Sequence, residues 1–376
     1  MNNELRKEDT SFITFLRGIA IVTVVFSHLI IRFWNNGVVD IWPFLATQTP
    51  VSGLSAINVS SFLDRMHLEA GPVGVALFYL ISGFLVNMSL KRYTIWKFLL
   101  MRVFRIFPLY IIGFSITFGC IWLYTSQSGI DFPYTFTDWL TQVSLLRQFL
   151  WMPSIDGISW TLVADIELYF LMAFLAILKK NESGKAVIIT SASITAISML
   201  CSINNNRFLM NAQYGLFKFS NVFRIAAFCM TFMLIGVVIY EHFSKKWNTA
   251  KTVFVGSFVY VMFVVCSLSY APDATNQICS YTFSLAVFVL CYIFSQAGYG
   301  SRFEIPLISF IAKISYPMYL IHGLNGYILL TALYRAGVNN YLSLLITLVC
   351  ATLLACGLHY GVEVPLLKAT KRKNLK

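Results

Sequence analysis

The sequence predicts an all-α, polytopic integral-membrane protein with about ten transmembrane helices and both termini in the cytoplasm. Three observations carry that expectation. Hydrophobic residues make up 58% of the chain and charged residues only 12%, with a mean hydropathy of +0.72. Apolar runs long enough to cross a bilayer recur along the whole chain, and basic residues gather between them on one side. A soluble domain carries about 25% charged residues, so a 376-residue chain this poor in charge cannot cover itself for water. A soluble multidomain enzyme is excluded, and the dominance of apolar residues excludes a disordered chain. The net charge of +12 would suggest nucleic acid in a soluble protein. Here the charges flank apolar runs, so they point to topology and contact with membrane lipid, and no nucleic-acid partner is expected.

A bilayer core of about 30 Å takes about 20 apolar residues per helix. The first span, 12–31, follows the polar tail 1–11; it is too long for a signal h-region and ends without a cleavage motif, so it stays as an anchor. The second is 72–90. The third, 105–124, follows the basic stretch that ends in Arg102 and Arg105. The fourth, 158–178, opens on Ser159, Trp160 and Thr161. Spans 186–202, 222–240, 252–270 and 280–297 are separated in turn by basic or polar loops. The ninth, 305–330, contains Pro317, which is expected to kink it. The tenth, 342–366, precedes a basic tail, 367–376. With the N-terminus inside, 19 of the 28 Lys and Arg residues fall in inner segments. Seven (Arg32, Arg65, Arg147, Arg207, Lys218, Arg224 and Arg335) fall outside, and Arg17 and Lys313 lie within spans. That asymmetry requires an even number of crossings. The chain reads as one integral domain, 1–376, with no fused soluble esterase-like domain after the last span. The eight cysteines show no metal-ligand or disulfide spacing and read as small core residues.

Ionisable residues inside spans are costly and usually functional. Arg17 and His28 are eleven residues apart, three helical turns plus about 20°, so an ideal helix places them on one face about 16 Å apart. This puts Arg17 near the inner mouth and His28 deeper, as a catalytic ring or as a packing residue. Arg102 and Arg105, at i,i+3, stand side by side, suited to phosphate or to anchoring at the inner surface. Asp165 and Glu167 in the fourth span need water, a donor or a cation, and the sequence does not choose between them. His359 and Glu363, at i,i+4, can pair.

Several segments together resemble the acyltransferase type 3 family, integral-membrane O-acyltransferases that modify bacterial surface glycans. They are Arg17 with His28 in the first span, Gly74-Val75-Ala76-Leu77-Phe78-Tyr79-Leu80-Ile81-Ser82-Gly83-Phe84-Leu85 in the second, and Arg102-x-x-Arg105 with Pro108. Ser159-Trp160-Thr161-Leu162, Ser315-Tyr316-Pro317-Met318-Tyr319-Leu320-Ile321-His322 and Glu363-Val364-Pro365 follow in the family's order. One departure stands out: an acidic pair is common in the family at the position of Asp165 and its successor, whereas here the successor is Ile166 and the second acid is Glu167.

The resemblance implies transfer of an acyl group, by default acetyl, from cytoplasmic acetyl-CoA or another acyl-CoA to a hydroxyl of a surface glycan or lipid-linked glycan, in a bacterial inner membrane. Acyl-CoA acts as donor substrate; no permanently bound cofactor and no metal is expected. His28, Arg17, Glu167 and Asp165 are the catalytic candidates, and Arg102, Arg105 and Arg17 the donor-binding ones. Trp160, Ser315, Tyr319, His322 and Glu363 are candidates for substrate contact or structure. A proton-coupled transporter or flippase of a glycan, with no covalent step, would use buried His, Arg and Glu equally well. The absence of an inverted repeat weighs against it.

Overall fold

Long apolar runs bounded by polar or basic loops can satisfy their backbone in a membrane only as helices, and among the described residues every regular element is helical. The computed structural model describes residues 10–34, 42–45, 56–145, 147, 150, 152, 154–208 and 215–373. Most of the polar tail 1–11, much of the segment between the first two spans, and the last residues of the basic tail lie outside them.

In chain order the helices are α1 (Ser11–Phe26), continued by a π turn (Ser27–Arg32), then α2 (Ala56–Arg65), α3 (Ala70–Leu90) and α4 (Ile95–Ser128). There follow α5 (Phe136–Val143), α6 (Trp160–Ile177), α7 (Gly184–Phe208), α8 (Gly215–Phe243), α9 (Thr249–Tyr270) and α10 (Thr275–Phe294). The last are α11 (Pro306–Lys313), α12 (Ser315–Ile321), α13 (Leu324–Arg335), α14 (Asn340–Leu358) with a π turn (His359–Glu363), and α15 (Val364–Lys373). Nine stretches among the described residues are long and apolar enough to cross a membrane.

The difference from the expected ten lies at 305–330. This segment is not one helix but three. It breaks at Ile314 (φ −88°, ψ 6°) and again at Gly323 (φ −65°, ψ −103°). Pro317 makes no kink of its own. It is the third residue of α12, within the first turn, where its missing N–H removes no helical bond. A second difference concerns Arg102 and Arg105, expected at the mouth of a span. They lie well inside α4, which begins at Ile95 with Thr94 as its N-cap, accepting from the Lys97 backbone N–H.

The apolar side chains form two cores. One joins α1, α3 and α6 to α10; the other joins the end of α1, α4, the start of α6 and α12 to α14. Val75, Phe78, Phe107 and Ile166 pack against both cores, so the two cores meet along a seam.

At one end of the bundle, charges tie three loops together. Lys91, after α3, lies 3.6 Å from both Glu182 and Glu241, Lys246 pairs with Glu182, and Asn87 donates to Glu241 at 3.0 Å. Partial burial works to raise the Glu182 carboxyl, but the Lys246 and Lys91 ammonium groups outweigh it and hold it below the usual carboxylate range. At the other end Asp156 organises the start of α6. Its Oδ1 accepts from the backbone N–H of Ile158 (3.2 Å) and Ser159 (3.1 Å) and from the Ser159 hydroxyl (2.8 Å). A carboxylate at this position also suits the positive end of the helix dipole. Buried Arg147 donates to the Ser159 hydroxyl at 3.2 Å.

Candidate functional site

Two cavities open along the seam between the cores, named inner and outer after the orientation expected from the basic residues. The inner one, about 110 Å³, is lined by Arg17 of α1, Val75, Phe78 and Ser82 of α3, and Arg102 and Arg105 of α4. Thr161, Asp165 and Tyr169 of α6 and Ser315, Tyr316 and Tyr319 of α12 complete it. Three of these five helices, α1, α4 and α6, thus bring three guanidinium groups and one carboxylate to one narrow space. Among the described residues Arg17 and Arg105 make no hydrogen bond or ion pair, although each lies within the field of the other, and Arg17 within that of Glu363. Arg102 is already held: it donates to the Ser89 hydroxyl at 2.8 Å and its guanidinium lies 4.7 Å from the centre of the Tyr169 ring. Asp165 faces Ser82, Arg102 and Arg105, and its Oδ1 is buried without a hydrogen-bond partner. Tyr316 closes the floor by donating to the Ile106 carbonyl at 2.9 Å.

The outer cavity is far larger, about 1320 Å³. His28 and Arg32 of the first π turn line it, with Trp160, Tyr270 and Tyr281, and its rim carries Asp64, His67, Glu69, Asp273, Asn276 and Gln277. Hydroxyl- and amide-binding side chains beside aromatic faces are the equipment for holding a polar, ring-shaped molecule. His28 is held from behind. Its Nδ1 is 2.7 Å from the Tyr327 hydroxyl, and the Tyr327 ring is itself packed against Phe33 and Trp42.

The two cavities share two residues, Val75 and Tyr319. Tyr319 is the polar half of that wall: its hydroxyl is 2.7 Å from Thr161 Oγ1 and donates to the Ile158 carbonyl at 3.2 Å. The backbone that Asp156 fixes therefore also fixes this tyrosine.

The expected residues are thus sorted between two compartments. Arg17, Arg102, Arg105, Asp165 and Ser315 line the inner one; His28 and Trp160 line the outer; Tyr319 divides them. Arg17 and His28, placed by their spacing on one face about 16 Å apart, line different cavities. A π turn begins at Ser27, and Tyr319 and Val75 stand between the two cavities that Arg17 and His28 line. Glu167 lines neither cavity; two positions beyond Asp165 on a helix is about 200° of rotation. His359 and Glu363 pair as expected, at 2.7 Å, within the π turn that follows α14. His322 is fully buried against His28. Sequence reasoning missed Tyr327, Tyr169 and Ser82 as site residues. Ser82 and Tyr316 stood inside motifs already singled out, whereas Tyr327 is one of 19 tyrosines and carries no local signal.

Residues 10–361 match the family model described as an acyltransferase domain. No curated protein and no solved structure matches the chain.

Proposed function

This chain belongs to the acyltransferase domain family and is a multi-pass membrane acyltransferase; we propose that it moves an acetyl group from cytoplasmic acetyl-CoA to a hydroxyl of a cell-surface glycan. The single observation that carries this reading is the pair of cavities that share only a thin wall, one lined by three arginines and the other by a histidine. A donor rich in phosphate and an acceptor rich in hydroxyls need such opposite ends.

The inner cavity has room for only about ten water-sized groups, so it suits the thin acyl-pantetheine arm, with the nucleotide remaining at its mouth. Arg17, Arg105 and Arg102 offer forked donors to phosphate oxygens there. The outer cavity suits a sugar. The acceptor hydroxyl loses its proton to His28 Nε2, while Nδ1–H donates to the Tyr327 oxygen. The hydroxyl oxygen bonds to the thioester carbonyl carbon, the C–S bond breaks, and the departing thiolate takes the proton from His28. An ester and a free thiol result. Asp165, the acid that faces the arginines, is the carboxylate assigned to the donor side; Glu167 is assigned no contact with either substrate. Exclusion of water from the narrow inner cavity protects the thioester from hydrolysis.

The test uses purified protein, radiolabelled acetyl-CoA and surface polysaccharide stripped of its esters by mild base. Label should become covalently attached to the polysaccharide and be released again by base. His28→Ala should reach normal membrane abundance yet lose about 10²–10⁴-fold in rate, the usual cost of removing a general base. Uptake of glycan into proteoliposomes without incorporation of label would replace the enzyme with a transporter.

A further inference from the structure

His322 comes from a different helix from His28, yet the two rings stand edge to face with centroids 5.0 Å apart and planes at 81°. The two histidines differ in every other respect. His28 is half-buried and reached from the outer cavity, whereas His322 is fully buried and lines neither cavity. The His322 Nδ1 lies 3.0 Å from the Met318 carbonyl oxygen and 2.9 Å from that of Tyr319. A carbonyl oxygen only accepts, so Nδ1 must carry the proton, and the neutral ring then has its lone pair on Nε2. That Nε2 is buried and has no hydrogen-bond partner. A buried polar atom left unpaired is unfavourable, and an apolar side chain of the same shape would remove that burden. The chain break explains how the arrangement is built. His322 is the last residue before the turn at Gly323, and Tyr327 lies on the next helix, so one broken segment meets His28 from two directions.

We propose that His322 is a positioning residue for acyl transfer, acting through His28. Tyr327 holds the Nδ1 edge of His28, and the His322 ring, with its lone pair on Nε2, lies against the same imidazole. When His28 takes the acceptor's proton, the resulting imidazolium is attracted to that lone pair; the neutral ring before transfer is attracted far less. His322 neither gains nor loses a proton. Its contribution exists only while the charge on His28 exists, so it belongs to the transition state rather than to substrate binding.

This inference rests on the reading of His28 as the base, and a pair of substitutions separates the two. In His322→Asn the short amide can still donate to the Met318 and Tyr319 carbonyls but places nothing at Nε2. In His322→Gln the longer amide places an acceptor oxygen near the Nε2 position and loses much of the carbonyl tie. Kinetics are measured with acetyl-CoA and base-stripped surface polysaccharide, with rates normalised to folded protein recovered from the membrane. The expected result is a fall in kcat of about tenfold or more for His322→Asn, with KM for both substrates within about twofold of wild type. His322→Gln should keep a clearly higher kcat than His322→Asn. A purely structural histidine gives the reverse order, because there the carbonyl tie is what matters. His322→Asn equal to or better than His322→Gln overturns the proposal while leaving His28 as the base. Wild-type protein that transfers no label overturns both.

Discussion

At the residue scale, the three arginines of the inner cavity are not equivalent. Arg102 is bonded to Ser89 and lies against the rings of Phe98 and Tyr169, so part of its work is to hold α3, α4 and α6 together. Arg105 and Arg17 have no such commitment among the described residues. A charge-assisted contact to phosphate is worth about 1.5–3 kcal/mol, which is about 10- to 100-fold in affinity. Arg105→Ala should therefore raise KM for acetyl-CoA by that factor with little change in membrane abundance. Arg102→Ala should raise KM and also lower abundance. Lysine at position 105 should restore only part of the affinity, because a point charge cannot reproduce the two parallel N–H donors. Steady-state kinetics over a range of acetyl-CoA concentrations, run beside immunoblots of the membrane fraction, check both halves. An unchanged KM in a well-folded Arg105→Ala variant would reduce the pair to an anchor at the membrane surface. The i,i+3 spacing made this pair visible in the sequence. The difference between its members was not visible, because Ser89 and Tyr169 come from other helices. Tyr327 was hidden for a similar reason: a tyrosine in an apolar run reads as an interfacial aromatic until the partner 299 residues away is in place.

At the scale of elements, the positions of the helices follow from apolar length, but their approach and their breaks depend on contacts that no local pattern encodes. The spans that stayed whole were legible because about 20 apolar residues leave one solution in a bilayer. The break at Ile314 was not, since an isoleucine between Lys313 and Ser315 carries no helix-stop signal. At the break the Ser315 hydroxyl donates to the Ala312 carbonyl three residues back, at 2.8 Å. At two glycines α3 and α8 approach backbone to backbone. A Cβ on Gly83 would overlap the Met233 carbonyl oxygen, and one on Gly236 would overlap the Leu80 carbonyl oxygen and meet the Phe84 nitrogen at 2.9 Å. Without a hydrophobic drive between helices in lipid, such backbone-to-backbone approach through small residues supplies much of the association. Ser82 and Phe78 of the inner cavity stand on this same α3. Gly83→Leu is expected to fall to a small fraction of wild-type membrane abundance. Gly119→Leu, where the added side chain meets open space, should be tolerated. Quantitative blotting of the two variants side by side checks the pair; equal abundance would show that the α3–α8 approach can relax.

At the scale of the whole molecule, the question is which face of the bundle meets the cytoplasm, and the structure makes the answer depend on a single orientation. Lys91, Glu182 and Lys246, from three separate loops, join with Glu241 near the end of α8, so those loops lie on the same side. Ser11, at the start of α1, donates to the Gly300 carbonyl at 2.6 Å, and Arg17 lies in the field of Glu363, so the beginning of α1 and the end of the α14 segment are neighbours. The broken segment runs from Ser315 in the inner cavity, past Tyr319 in the wall, to Tyr327 behind His28 in the outer one. It thus makes one passage from inner to outer end despite its two breaks. Added to the nine long apolar stretches among the described residues, that passage would bring the crossings to ten, the even number expected from the basic residues. By the positive-inside rule, the end with Lys91 and Lys246 is expected to face the cytoplasm. In that orientation the proposed function would have the Arg17, Arg102 and Arg105 cavity open toward the donor's compartment and the His28 cavity toward the acceptor. Reporter fusions provide the check. A reporter active only in the cytoplasm should score at the C-terminus, and a reporter active only outside should score when inserted between 129 and 134, after α4. A C-terminal reporter active only outside would invert the whole bundle. The arginines would then face a compartment without acyl-CoA, and the donor assignment would fall with the topology.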